Sequence, residues 1–344
     1  MKIAKLVAPN KFEFFDMPYP ELKPGHVIVR VVASGICGSD VHIFHTLRAS
    51  GKDVKEPLAL GHEAAGVVEE VASDVKGFHA GQRVFIEPQN TCGHCEWCLR
   101  GDPNLCPNVL FLGMPGQDGA YRKYISVPAH TLFPTPPEIE TDEEAVMIEP
   151  FSISLSAFYL AKCKMPATVA IQGCGTMGLS LLQILKWAGA KTIISTDPLD
   201  YRLDAAKRLG ADYTINPAKE DVFTKVMEIT KGEGIDYVFE ASGVDETPKE
   251  ACRIAKIGAK VLIIGANEKD DIVIDGTSGR VKGLTIIMVR RAKNTVPKTI
   301  DMFVRKILDP KPLITHRFNL DDIEKGFDIV ANYKDNVIKA MIIP

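Results

Sequence analysis

No apolar run in these 344 residues is long enough to cross a bilayer, and no Lys/Arg run exceeds a pair such as Arg290-Arg291. The basic residues are scattered and the formal net charge is only -3, which removes the electrostatic case for nucleic acid or an anionic membrane. The opening stretch, Met1 to Pro18, lacks the unbroken apolar segment of a secretory signal, so a cytoplasmic location is expected. Internal repeats and low-complexity tracts are missing too. What is present is an ordinary globular composition, 46% hydrophobic and 25% charged, in a chain long enough for two domains. In a reducing compartment its 8 Cys are better explained as metal ligands or free thiols than as disulfides.

The texture changes along the chain. Up to about residue 150 short alternating strands dominate, His26 to Val32 and Ala65 to Val71 most clearly and Arg122 to Val127 more weakly, with no sustained helical period. From Thr168 onward strands and helices alternate. Thr168–Gln172, Thr192–Thr196, Ile235–Phe239, Val261–Ile264 and Leu284–Met288 read as strands, with helices at Leu179 to Leu185 and Tyr201 to Leu209. Such alternation predicts a parallel, doubly wound sheet. The tail suggests helices at Val296–Ile307 and Asp321–Val330 and a closing strand at Val337–Ile342. The fold class is therefore α/β, with residues 1–150 and 289–344 in one domain and 151–288 in the other.

Five of the cysteines lie between Cys37 and Cys106, and four of them fall within fifteen residues. Cys92, Cys95, Cys98 and Cys106 form Cys-x2-Cys-x2-Cys-x7-Cys, four thiolates able to close a tetrahedron around a structural Zn2+. An iron–sulfur cluster is the rival, although the x7 gap departs from ferredoxin spacing. Farther on, Gly173-Cys174-Gly175-Thr176-Met177-Gly178 follows a predicted strand and opens a predicted helix, with Asp197 ending the next strand. In that context Gly173, Gly175, Met177 and Gly178 form a dinucleotide-binding turn whose helix N-terminus faces the pyrophosphate. Asp197 would accept the adenine-ribose hydroxyls and repel a 2′-phosphate, favouring NAD; Arg202 nearby either softens that exclusion or is a solvated residue at the start of the helix.

Two further clusters, Cys37-Gly38-Ser39-Asp40-Val41-His42 and Gly61-His62-Glu63, stand upstream of the four cysteines. Taken with the other motifs, in this order and approximate spacing, they make the whole chain resemble the zinc-containing medium-chain alcohol and polyol dehydrogenases. The resemblance implies a mostly-β GroES-like catalytic domain beside a Rossmann domain. It also implies one catalytic and one structural Zn2+ per chain, NAD, and a homodimer or homotetramer. Cys37 and His62 are then catalytic zinc ligands, and Glu63 is a further ligand or close neighbour. The chain departs from the alcohol dehydrogenase pattern where the second catalytic Cys would fall, reading Ala145-Val146-Met147-Ile148-Glu149-Pro150. Glu149 is the best remaining ligand, and Glu-Pro at this point resembles sorbitol dehydrogenase. By the same resemblance Ser39 and His42 relay the alcohol proton, while zinc polarises the alcohol and hydride passes to the nicotinamide.

Substrate signals are finer. Arg83 to Pro88 resembles the corresponding sorbitol dehydrogenase segment, and Gln89 stands about where threonine dehydrogenases place a substrate-side His. Arg290 matches the polyol enzymes' substrate-contacting Arg, with Arg291 where Tyr is usual, and Phe111 is a candidate pocket wall. The expected activity is NAD-linked oxidation of a secondary alcohol on a polyol or sugar-like small molecule. L-threonine, a sugar-alcohol phosphate, and a non-catalytic zinc- and nucleotide-binding protein are the alternatives.

Overall fold

The computed structural model describes residues 1–49, 51–266 and 271–344, which divide into two compact units. The first comprises Met1–Glu149, Val296–Lys306 and Pro310–Pro344, and the second Pro150–Thr295 and Ile307–Asp309. Val289–Thr295 thus stays with the second unit, beyond the crossing near 289 read from the sequence. Backbone and side-chain bonds hold it there: Val289 N to Ile263 O at 2.9 Å, Lys293 N to Ser156 Oγ at 3.2 Å, and Thr295 Oγ1 to Ser152 O at 2.7 Å.

The first unit is built on a seven-stranded sheet. Its strands run in the order Leu132–Pro134, Arg83–Ile86, Glu63–Val71, His26–Gly35, Lys339–Ile343 and Ile314–Asn319, and Tyr124–Pro128 also pairs with His26–Gly35. Val27, Val29, Val31, Ala64, Val68, Val84, Ile86 and Ile125 form one buried cluster along it. The register matters for the site. Gly35 pairs with Glu63 on one side and with Met341 on the other, so the chain ends carrying Cys37, His62 and Lys339 converge there. Only glycine fits at 35, because a Cβ would lie 2.0 Å from Glu63 Oε2.

This region also contains a helix that periodicity did not predict, Gly38–Thr46. A capping box starts it: Asp40 Oδ2 accepts from Cys37 N at 3.1 Å, satisfying a donor the helix leaves free. Ile43 and Phe44 anchor it, with Phe44 ring centroids 5.4 Å from Phe12 and 4.8 Å from Phe327. Burial of each contributes about 1.5–3 kcal/mol. The helix is only nine residues long and its apolar positions are few, so no repeat could accumulate in the sequence.

The second unit carries a six-stranded parallel sheet ordered Tyr213–Ile215, Thr192–Thr196, Thr168–Gln172, Ile235–Glu240, Ala255–Ile263 and Thr285–Met288. Counted within the unit this is 3-2-1-4-5-6, the order of a dinucleotide-binding fold with its switch point between Thr168–Gln172 and Ile235–Glu240. The helix Thr176–Trp187 buries Leu179, Leu181, Leu182, Ile184 and Leu185, as a helix covered on most sides does. Among the described residues no helix is long and apolar enough to cross a membrane.

Candidate active site

In the first unit the ligand atoms of Cys37, His62 and Glu63 lie within 4.8 Å of one another. His62 is buried, and its Nδ1 faces Asp40 Oδ1 at 3.3 Å, neither atom having another partner among the described residues. That contact leaves Nε2 to face a metal, the arrangement in which a second carboxylate sets the ring's tautomer and aim. Asp40 does more than cap a helix. Its Oδ2 takes the Cys37 N–H and lies 3.3 Å from the Tyr121 hydroxyl, which also donates to Gly35 O at 3.1 Å. Burial opposes a charge on His62, but Asp40 and Cys37 outweigh it and hold its pKa well above the ordinary value.

Glu63 is gripped from the opposite side. Lys339 Nζ donates to Oε1 at 2.8 Å, to Oε2 at 2.7 Å and to Ile36 O at 3.0 Å, so its three N–H bonds are all used. Both side chains are buried, Lys339 at 3% and Glu63 at 1% exposure. Burial lowers the Lys339 pKa, yet Glu63 and Cys37 reverse the sign and leave it raised. Glu149 is buried in the first turn of the helix Ile148–Ala161 but stands outside the Cys37–His62–Glu63 group. Burial pushes its carboxyl up to about 8; His62 opposes this, and Glu63 and Glu87 reinforce it. The site thus gathers a thiol and the carboxyls of Asp40, Glu63 and Glu149 against one lysine and one histidine in a desolvated pocket. A divalent cation relieves that imbalance, and the sulfur, nitrogen and oxygen donors suit Zn2+.

Ser39 and His42 both lie half-buried on the helix Gly38–Thr46, three positions apart and therefore on one face. Phe111 packs its ring 5.5 Å from that of His62. It arrives there because the two-stranded ribbon Gln89–Asn90 with Leu110–Phe111 closes the base of the four-cysteine lobe. Within the lobe the Sγ separations are 3.5 Å for Cys95–Cys98, 3.9 Å for Cys95–Cys106 and 3.6 Å for Cys106–Cys92. A tetrahedron with Zn–S bonds of about 2.3 Å has edges of about 3.8 Å, so these four thiols fit one ion. The His94 N–H helps draw the Cys92 thiol down to about 6, whereas burial and Cys95 raise Cys98.

In the second unit Gly173 adopts φ +93° and a Cβ on Gly178 would lie 1.8 Å from Gly173 O, so helix and turn can approach only as glycines. Asp197 is buried at the end of Thr192–Thr196. It accepts from Cys174 N at 2.8 Å and Leu199 N at 2.9 Å, with Arg202 Nη1 at 3.8 Å. It therefore staples the glycine turn in addition to offering its remaining lone pairs. Arg202 also borders Gly175, whose Cβ would meet Nη1 at 3.7 Å, and Met177 O accepts from the Ser154 and Ser180 hydroxyls. Arg290 follows Thr285–Met288 at the carboxyl edge of the sheet and is exposed.

Sequence reading missed Asp40, Tyr121 and Lys339. The Cys37–Asp40 spacing is a capping-box signal, and a lysine inside the closing apolar strand is a buried charge demanding a partner. Nothing in the sequence says that the partner is Glu63, 276 residues away.

Comparison with known proteins agrees with this geometry. Residues 23–137 match the alcohol dehydrogenase GroES-like domain, and residues 176–305 match the zinc-binding dehydrogenase domain. A sorbitol dehydrogenase from Bacillus subtilis is 35% identical over 344 residues, covering 100% of this chain and 97% of its own. An L-threonine 3-dehydrogenase from Chromobacterium violaceum is 35% identical, covering 94% of each. The crystal structure of an Escherichia coli alcohol dehydrogenase complexed with NADH superposes with a TM-score of 0.91 at 30% identity, covering 100% of this chain and 99% of that one. The chain belongs to the zinc-binding medium-chain alcohol dehydrogenase family and is an oxidoreductase acting on CH–OH groups.

Proposed function

We propose that this enzyme oxidises a secondary alcohol of a polyol or sugar-like substrate with NAD. The group formed by half-buried Cys37 and buried His62 and Glu63, with Lys339 neutralising Glu63 and Glu149 as a further carboxylate, carries the reading. It replaces the second thiolate of an ordinary alcohol dehydrogenase site by carboxylates. Cys37, His62 and Glu63 would hold the catalytic zinc, Glu149 being the remaining candidate, and Cys92, Cys95, Cys98 and Cys106 the structural one. When bound, the catalytic zinc supplies Lewis acidity that lowers the alcohol's proton affinity. Ser39 and His42 then offer a hydroxyl and an imidazole on one helix face to carry the released proton outward. Phe111 gives the pocket an apolar wall, and Arg290 offers a guanidinium to substrate hydroxyls. Gly173, Gly175, Met177, Gly178, Asp197 and Arg202 receive the dinucleotide, and the Asp197 carboxylate favours NAD over its 2′-phosphorylated form.

Gln89 supports a polyol over an amino-acid alcohol: its amide donates to Glu87 at 3.0 Å, where a threonine-specific site would place an imidazole. The same reading takes the enzyme to be cytoplasmic, where a reducing environment would keep the zinc-ligating cysteines as thiolates. It also takes the enzyme to be a homodimer or homotetramer, an outcome that light scattering reads directly. The deciding experiment follows NADH absorbance with sorbitol, xylitol, L-threonine and galactitol phosphate. Fastest turnover on an unphosphorylated polyol supports the proposal. Preference for threonine or the phosphate moves the substrate to that class, and silence across the panel with zinc and NAD bound refutes the polyol reading.

A further inference from the structure

Glu240 ends the strand Ile235–Glu240 at the switch point of the second unit's sheet, directly in register with Gln172, which leads into the glycine turn. It is fully buried, yet no lysine or arginine pairs with it among the described residues. Instead its Oε1 gathers the donors of one short turn: Ser242 N at 2.8 Å, Gly243 N at 3.0 Å, the Ser242 hydroxyl, and Thr247 Oγ1 at 2.9 Å. Its Oε2 is buried with no partner among the described residues. Leaving a desolvated carboxylate oxygen bare is expensive, and a fold that only needed a turn here could use a smaller neutral acceptor.

What that turn touches explains the arrangement. A Cβ on Gly173 would lie 2.8 Å from Ser242 Cα, one on Gly243 would lie 2.6 Å from Ala266 O, and one on Gly265 would lie 2.3 Å from Gly243 N. Ala241 N donates to Gln172 O at 2.8 Å, and Ile264 N and Gly265 N donate to Glu240 O at 2.8 and 3.1 Å. The turn after Glu240 is therefore wedged, backbone against backbone, between the glycine turn and the segment following Ala255–Ile263. We infer that Glu240 is a positioning residue for the dinucleotide: its carboxylate fixes the Ser242–Thr247 turn, which in turn sets the backbone of Gly173 and Gly265 at the switch point. Ligands in such sheets bind outside the carboxyl ends of the strands at this crevice. The inference rests on the proposed dinucleotide reading and deepens it.

The test compares Glu240→Gln, which keeps the shape but removes the charge, with Thr247→Val, which keeps the carboxylate but removes the hydroxyl that Glu240, Ser242 and Val244 share. In the zinc-loaded enzyme, NADH affinity is read by the fluorescence of the bound nicotinamide, alongside KM for NAD, KM for alcohol and kcat. We expect Glu240→Gln to weaken NADH and raise KM for NAD about tenfold, and Thr247→Val about threefold, with KM for alcohol and zinc content unchanged. A purely structural role would instead lower thermal stability in both variants with NADH affinity intact, and that result overturns the inference. Should Glu240→Gln fail to fold, the threefold effect in folded Thr247→Val decides. Wild-type enzyme that does not bind NADH at all would defeat the dinucleotide reading itself, whereas binding that neither variant alters defeats only the role of Glu240.

Discussion

Replacing Lys339 with Met removes the one ammonium that Glu63 faces across its buried pairing while nearly preserving side-chain volume. Both partners are almost wholly shielded from water, and the ammonium makes three bonds at 2.7–3.0 Å. Deleting one member of such a pair strands the other charge, at a cost of about 3–5 kcal/mol, whereas an exposed pair would cost at most about 1 kcal/mol. In urea titration of metal-stripped protein, we expect the first unit's transition to lose that amount. The double variant Lys339→Met with Glu63→Gln should recover most of it, since no buried charge then lacks a partner. Zinc binding should also stabilise the single variant more than the wild type, because the cation takes over the counter-charge to Glu63 that the ammonium supplied. A loss below about 1 kcal/mol in the single variant, or no recovery in the double, would refute the account of a desolvated pair.

Cys37→Ser should lose turnover by roughly a thousandfold while still binding NADH, which separates the metal site from the dinucleotide site by kinetics and fluorescence titration. Cys95→Ser should release a zinc equivalent on elemental analysis and make the 92–106 lobe sensitive to proteolysis, with activity falling through displacement of Phe111. Gly178→Ala has no space for its Cβ, 1.8 Å from Gly173 O, so NADH affinity should fall by at least about tenfold in calorimetry. Asp197→Ser should raise KM for NAD roughly tenfold and open the enzyme to NADP, the guanidinium of Arg202 lying near enough to attract the 2′-phosphate once the carboxylate is gone.

Much of the site was legible because its parts are local. Four thiols within fifteen residues and a glycine turn followed by Asp197 need no tertiary information to suggest an ion and a pyrophosphate. The helix Gly38–Thr46 was not legible by period, since two anchors, Ile43 and Phe44, hold it rather than a repeating face. Glu149 read as the natural replacement for a missing thiolate; its carboxyl is buried within electrostatic reach of His62 and Glu63, while the donor atoms lying within 4.8 Å of one another are those of Cys37, His62 and Glu63. Its own burial first, and then the charges of His62, Glu63 and Glu87, set the ionisation of that carboxyl.

By itself the sequence determined the family of chemistry: which donor atoms exist, their order, and a parallel sheet able to present a glycine turn. Only the tertiary structure decided which charges meet. Lys339 reaches Glu63 and Asp40 reaches His62 because sheet register and a capped helix bring together chain segments that are distant in sequence. Electrostatic partnership depends on separation in space and on exclusion of water, and neither quantity is encoded at any single position.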